Sequence, residues 1–600
     1  MKNNTGFFYA HFQDKRSNPV FFQINPFAYE EVSFMISRLI GVSHLREIIC
    51  QFPSQEHSFS NYSSSKPDKY FLKIITYKIE CTIESNLDFS AKCTIDFTSE
   101  EQEQQWIMFY LFHELKVEAI TWDDGKKAKF VNSGDSGELW IKCNKNYLDS
   151  KQHSLTISYK GDLLEKNQYG WLSLLTTYLW YPRFDNYEKV QYGLIFHTPA
   201  EYEFVSIGDL IRSSTSNDVL TTTWICKTPA RFASFNIGRF EKIEIKEKDL
   251  PDVNVFLSKY GHNQLSEWLR QNGVSSISDA TEFIGHDVVN SMALFKELFG
   301  DPPINSLNIS ESPELHGLAF PGLIHLSWAT VIQTDFEGLD EIFRAHEVAH
   351  QWWGLAVDFE SYHDQWLSEG FAQYSGLWYL QQAKNNNELF FDILNEWKDE
   401  ILYVREYIFG SGQEAGPIWL GYRTSSRSTM GDYDLIVYKK GAWILHMLRG
   451  MLIDLQTMNE DRMVNMMHDF FNTYNNKNAS TNDFKQVADK HFGEDMSWFF
   501  NQYVYSTDIP KYKFYYTIKK SEDGKFIVTL RVKQEEVPES FKMYVPIKII
   551  LDDGAIGRIR FLVSGKETIY ELPPFLRMPD EIIFNDLESV LCEVDYTTWQ

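Results

Sequence analysis

The stretch "EIFRAHEVAHQWWG", residues 341–354, holds His346, Glu347 and His350 in the spacing H-E-x-x-H. On an α-helix, positions four apart lie about 400° round, so both imidazoles project from nearly one face, one turn apart. Two ring nitrogens so placed can bind one tetrahedral Zn²⁺, and Glu347 beside the first can reach the attacking water as general base. The five-residue pattern alone leaves a second reading equally open, a pair of core histidines on an aromatic-flanked helix. The downstream spacing decides between them. In "HDQWLSEGFAQYSGLWYL" (363–380), Glu369 follows His350 with residues 351–368 between, enough chain for a loop and a return on a second helix. His346, His350 and Glu369 leave a fourth position open, as in catalytic rather than structural zinc sites. One Zn²⁺ per chain is therefore expected.

The bulk composition narrows the setting. At 600 residues the chain is too long for one core, so several domains are expected. An apolar content of 43% supports packed cores and excludes general disorder. With 83 acidic against 57 basic side chains, a net charge of −26 argues against nucleic acid or an anionic membrane as partner. Cys50, Cys81, Cys93, Cys143, Cys226 and Cys592 form no C-x-x-C pair and are too widely spaced for a disulfide framework, which fits a reducing compartment. The opening "MKNNTGFFYAHFQDKRSNPVFF" (1–22) lacks the uninterrupted apolar segment of a leader, and no window approaches the ~20 apolar residues of a spanning helix. A cytoplasmic location is expected, with a removed leader left open.

Pattern divides the chain. Residues 1–68 form an extension in which "YEEVSFMISRLIGVSHLREIIC" (29–50) reads as an amphipathic helix and "QFPSQEHSFSNYSSSKPD" (51–68) as a Ser-rich linker. Residues 69–248 are strand-like, with β-branched and aromatic stretches such as "YFLKIITYKIECTI" broken by turns such as "WDDGKK". From 249 to 508 helical spacing takes over, in "NQLSEWLRQNG", "ATEFIGHDVVNSMALFKELFG" and "VYKKGAWILHMLRGMLIDL", with the strand-like "LAFPGLIHLSWATVI" before the H-E-x-x-H helix. Strands return in 509–600, where "KYKFYYTI" and "KFIVTLRV" flank the turn "SEDGK", the makings of a β-sandwich.

With these residues in view, "HEVAHQWWG" followed by the Glu of "WLSEGFA" resembles the aminopeptidase N and leukotriene hydrolase family of gluzincin metallopeptidases. "PARFASFNIGRFEK", "WYPRFDNYEKVQYGLIFHTP", "GPIWLGYR" (416–423) and "YKKGAWILHML" (438–448) are similar to further family segments. The resemblance implies a multidomain α+β fold, with an N-terminal β-rich saddle domain, a thermolysin-like, mostly helical catalytic domain and a C-terminal β-sandwich. It implies zinc ligands at His346, His350 and Glu369, a general base at Glu347, and an oxyanion donor at Tyr438. Tyr433 aligns with a second cleft tyrosine of some relatives, or packs.

One departure bears on substrate. Family aminopeptidases carry a G-x-M-E-N-type strand whose Glu binds the substrate's α-ammonium. The matching segment here is "HGLAFPGLIHLSW" (316–328), which puts Ala319 in the place of that Glu, among Gly317, Leu318 and Phe320 as substrate-lining positions. The counterpart of a second anchor, "YGWLSLLTTYLWYP" (169–182), has no carboxylate. Losing such a charge-assisted contact costs ~1.5–3 kcal/mol, enough to relax selection of chain ends. The expected activity is zinc-dependent peptide hydrolysis of aminopeptidase type with altered amine recognition and a more open cleft than in longer relatives. The alternatives are an endopeptidase or other zinc hydrolase acting on a modified peptide or small molecule, and a binding scaffold without turnover.

Overall fold

The computed structural model describes the backbone of residues 8–12, 20–24, 32–40 and 43–52 and the chain from residue 72 onward, apart from 100–105, 133–136, 144, 168–169, 185–188, 259–260, 262, 264–266, 268–280, 315, 332–337, 403–414, 426–428, 430 and 599–600. The helix expected at "NQLSEWLRQNG" and most of the Ser-rich linker lie outside the described residues. The chain forms two compact units, one of residues 1–165, 174–200 and 210–232, the other of 166–173, 201–209 and 233–600. Among the described residues no helix is long and apolar enough to cross a membrane.

The first unit corrects one expectation. The stretch expected as an amphipathic helix instead forms strands Val32–Ile40 and Ser43–Phe52, the last two of a four-stranded antiparallel meander. The physical reason is legible afterwards: Val32, Phe34, Ile36 and Ile40 recur at even spacing, and β-branched residues at period two favour a pleated strand. Beyond it lies a seven-stranded sheet in the order 209–216, 219–230, 190–199, 72–83, 89–99, 152–161, 115–122. Its strands alternate as the sequence does: Ile79, Cys81 and Ile83 are buried beside Cys93, Ala91 and Phe89. A bulge between Ile74 and Thr76 inserts one residue, so burial passes from Ile74 to Tyr77 and the alternation is re-phased without losing the buried face.

The second unit carries the helices. A five-stranded sheet runs in the order 241–245, 252–257, 306–312, 323–327, 318–320; its three middle strands are parallel, and the short strand Leu318–Phe320 closes one end antiparallel to Leu323–Ser327. Contact and composition divide the chain at different places because strand Glu241–Ile245 pairs with Asp252–Leu257 and so belongs to this sheet. The helices needed below are α1 (Thr281–Phe299), α2 (Leu339–Ala349), α3 (Trp366–Gln382), α4 (Asn387–Leu402) and α5 (Gly441–Leu452), the last entered through a π-helix, Asp434–Lys440. Two further sheets, ordered 567–571, 526–535, 511–520, 593–596 and 556–564, 542–551, 579–584, follow the helices. Phe584 joins these two sheets, stacked on Phe514 at 4.8 Å and edge-on to Phe561. Their inner side chains are continuous with the helical core through Tyr503, which packs on Phe541. The fold is multidomain α+β.

Candidate metal centre

Helix α2 starts after Gly338, whose φ of 85° lies in the left-handed region, and carries Asp340 and Glu341 in its first turn where the helix dipole favours them. Its inner face is Ile342, Ala345, Val348 and Ala349, all buried, and this burial fixes which way the other positions point. Arg344 fixes it further. Its guanidinium meets Asp287 of α1 at 2.7 Å, and Asp287 also accepts from Tyr379 of α3 at 2.8 Å and pairs with Lys384. Arg344 and Asp287 are both buried, so removing either partner would strand a charge and be strongly destabilising. This cluster joins α1, α2 and α3 directly behind the histidines.

On the opposite face, His346 and His350 bring their Nε2 atoms to 3.0 Å, and Glu369 Oε2 lies 3.6 Å from the first and 3.4 Å from the second. Ligand atoms of the three residues all fall within 4.8 Å of one another, the one such group among the described residues. Bonds of ~2.0–2.2 Å at tetrahedral angles would set ligand atoms about 3.3–3.6 Å apart, so the three residues fit a four-coordinate divalent ion with little movement. The protonation pattern agrees. The Trp353 carbonyl, 2.9 Å from His350 Nδ1, can only accept, so that nitrogen holds the proton and Nε2 presents its lone pair. Burial disfavours a charged His350, yet Glu369 beside it outweighs burial and raises the imidazole's pKa; burial likewise acts to raise Glu369, and the two histidines pull it down. A site that favours a proton between these groups favours a cation there.

Glu369 arrives by a loop whose turns are specified. Gly354, at φ 91°, ends the "QWWG" turn, and a Cβ there would meet Ser368 Oγ at 2.2 Å. Ser361 and Asp364 form a capping box just ahead of α3, and Asp364 also accepts from the backbone N–H of Thr481 at 2.7 Å. Helix α3 then crosses the start of α5 at two glycines: a Cβ on Gly370 would lie 2.9 Å from the Gly441 Cα. That close crossing brings Glu369, one residue before Gly370, to face Tyr438, three residues before Gly441.

Tyr438 stacks on His346 with 5.7 Å between centroids and 5° between planes, and Tyr433 meets Tyr438 edge-on at 5.7 Å. On an α-helix, residues five apart lie about 140° round and could not both face the site. The π-helix makes it possible, its wider turn seen in the Gly441 N–H bonded to the Ile436 carbonyl. Burial and then the charge of Glu369 push both phenols up, so both are neutral donors at ordinary pH. Burial also raises the Glu347 carboxyl above the usual carboxylate range, against the pull of His346 and His350.

The strand Leu318–Phe320 forms the facing wall. A Cβ on Gly317 would lie 2.2 Å from Glu347 Oε1, so the absence of a side chain there is what admits the carboxyl. By alternation Ala319 shares that face, and both it and Leu318 are half-buried. Phe320 points into the core, buried and edge-on to His325. Sequence reasoning missed the Gly317–Glu347 contact and the Arg344–Asp287–Tyr379 cluster. Their partners are remote in sequence and carry no shared spacing, and only Arg344's place two residues before His346 offered a clue.

The sequence model of the peptidase family M1 domain matches residues 339–503, the segment holding His346, His350, Glu369, Glu347 and both tyrosines. This segment belongs to peptidase family M1. The chain is similar to mitochondrial aminopeptidase 2 of Saccharomyces cerevisiae, 24% identical over 325 residues, covering 50% of this chain and 31% of that protein. It is similar also to aminopeptidase M1-B of Oryza sativa subsp. japonica, 24% identical over 51% of this chain and 33% of that protein. Glutamyl aminopeptidase of Sus scrofa is 30% identical over 146 residues, 24% of this chain and 14% of that protein. The chain spans about a third of the length of the first two relatives. Its fold is similar to that of Legionella pneumophila aminopeptidase A, solved in complex with aspartic acid, with a TM-score of 0.66 at 12% identity, over 88% of this chain and 60% of that one.

Proposed function

We propose that this chain is a zinc-dependent peptidase of aminopeptidase type with altered recognition of the substrate's free amine, His346, His350 and Glu369 holding one zinc ion. The observation that carries this is the convergence of those three ligand atoms within 4.8 Å, with Glu347 and Tyr438 beside them. Bound zinc supplies Lewis-acid polarisation of the scissile carbonyl and makes water more acidic. Glu347 takes the proton of the attacking water and passes it to the leaving amine, a task suited to a carboxyl whose pKa burial has raised. Tyr438, a neutral phenol, donates a hydrogen bond to the oxyanion as its charge develops, and Tyr433 stands ready beside it.

The substrate is a peptide or peptide-like molecule lying along Gly317, Leu318 and Ala319, at the end of the five-stranded sheet, with Phe320 turned away into the core behind them. Ala319 offers a methyl group on the face that Gly317 shares with Glu347, where a carboxylate would bind an α-ammonium. The same methyl favours the second reading, an endopeptidase or other zinc hydrolase taking a modified peptide or small molecule. The charge of −26 argues against nucleic acid and anionic membrane as partners, and the cysteine usage fits the cytoplasm. In domain terms, 1–68 is read as an extension, 69–248 as the saddle, 249–508 as the catalytic domain and 509–600 as the sandwich, with strand Glu241–Ile245 contributed to the sheet of the catalytic domain.

The test is turnover of a panel of fluorogenic peptides, free and N-acetylated, before and after chelation. Hydrolysis that disappears with chelator and returns with zinc is expected. Preference for acetylated substrates would select the second reading, and stoichiometric zinc without hydrolysis of any peptide would overturn both.

A further inference from the structure

Helix α5 is gripped on its far side by the C-terminal strands. The loop between Phe584 and Glu593, "NDLESVLC", carries three non-glycine residues at positive φ, Asn585 (59°), Leu587 (62°) and Glu588 (47°). Such conformations are disfavoured for residues that carry a side chain and persist only where surroundings hold them. Here they are held. The Asn585 side chain bonds both backbone groups of Val590, Asp586 takes the Arg558 guanidinium at 2.6 Å, and Lys398 of α4 pairs with Glu588 at 2.9 Å.

The loop docks on α5 at three points. Its Leu587 carbonyl accepts from His446 Nε2 at 3.1 Å, its Leu591 N–H donates to Met447 Sδ at 3.4 Å, and Ser589 fills the space where Gly450 has no side chain. Arg560, on strand Ile556–Ser564, caps the end of α5 by donating to the carbonyls of Gly450 and Ile453.

His446 extends this grip to α3. A carbonyl only accepts, so the His446 proton is on Nε2, and Nδ1 takes the hydrogen bond of Tyr374 Oη at 3.2 Å. Tyr374 in turn accepts from Arg449 at 3.1 Å, and Arg449 pairs with Glu460 at 2.6 Å. Tyr374, His446 and Arg449 are all buried. Helices α3 and α5 are thereby pinned twice, at Gly370–Gly441 beside the site and at Tyr374–His446 about one turn further along. One contact lets two helices pivot; a second removes the pivot. The first pin stands next to Glu369 and three residues from Tyr438, so the angle between the helices sets how the phenol faces Glu369.

We propose that His446 is a positioning residue, held by the Leu587 loop and bonded to Tyr374, that fixes the orientation of Tyr438 across from Glu369. This rests on the role given to Tyr438 above. The C-terminal strands thus act on the chemistry through α5 without touching the substrate.

The test is a double-mutant cycle on the zinc-loaded full chain, with the fluorogenic peptide it cleaves fastest. His446→Leu is expected to lower kcat about tenfold, as small misplacements of a reacting group do, with KM and zinc affinity by chelator competition unchanged. In the Tyr438→Phe background the same substitution should cost nothing further, because the group it positions has lost its hydroxyl. His446→Gln, whose amide can serve both partners, should recover part of the loss. Tyr374→Phe should reproduce the pattern and serves in place of His446→Leu should that variant fail to fold. Equal losses in both backgrounds, unchanged kcat, or a loss confined to KM or zinc affinity would overturn the proposal. Tyr438→Phe alone with unchanged kcat would overturn the tyrosine's role in the proposed function and this inference with it; additive losses overturn this inference only.

Discussion

The two walls of the site are built by opposite means. Helix α2 presents charged and titratable side chains, His346, Glu347 and His350, and is clamped from behind by Arg344, Asp287 and Tyr379. The strand Leu318–Phe320 presents almost nothing: a glycine against Glu347 and an alanine beside it. Under the proposed function, the helix wall holds the groups that make and break bonds, and the strand wall chooses what lies against them. Chemistry and selection therefore sit on separate elements, and one can change while the other is kept.

That division can be broken from either side. The largest effect belongs to the helix wall: Glu347→Gln should lower kcat by about 10³-fold, within the span of acid–base catalysis, while zinc content measured by mass spectrometry stays stoichiometric. Loss of zinc from that variant would mean the carboxyl serves the metal rather than the proton. Next comes the seam between the walls. Gly317→Ala puts a methyl group 2.2 Å from Glu347 Oε1, so the carboxyl must move, and kcat should fall about 10- to 100-fold with KM little changed. Unaltered kcat would show that the carboxyl has room to spare.

On the strand wall itself, Ala319→Glu should shift the ratio of kcat/KM for free over acetylated peptides by about tenfold toward free ends. No shift would remove Ala319 from the account of amine recognition.

The smallest effect is one of stability. His325, on the strand paired with this wall, is buried between Ser234 and Ser310, and burial pushes its pKa down to about 4. The unfolded chain then binds a proton near pH 6.5 that the folded chain refuses, so the stability His325 contributes above that pH is lost as pH falls toward 4. From this residue alone, urea denaturation should show a loss of under about 1 kcal/mol between pH 7 and pH 6, absent in His325→Gln.

Legibility followed the range of the interactions. The alternation of Ile79, Cys81 and Ile83 reads as a strand because burial on a pleated sheet repeats every second residue. The same rule was present in "VSFMISRLI", where flanking charges invited a helical reading that strand pairing overrides. Phe320 read as a lining position beside Ala319; the strand turns it into the core, since neighbours on a strand face opposite ways.

By itself the sequence determined that His346, His350 and Glu369 come together, because an α-helix turns a spacing of four into a shared face and residues 351–368 allow Glu369 to return to it. Only the tertiary structure decided the rest. The π-helix brings Tyr433 and Tyr438 to one side, Gly370 and Gly441 let α3 and α5 meet closely enough to aim them, and Gly317 leaves room for Glu347. Each of these depends on backbone from distant segments approaching closely, and local periodicity holds no record of that.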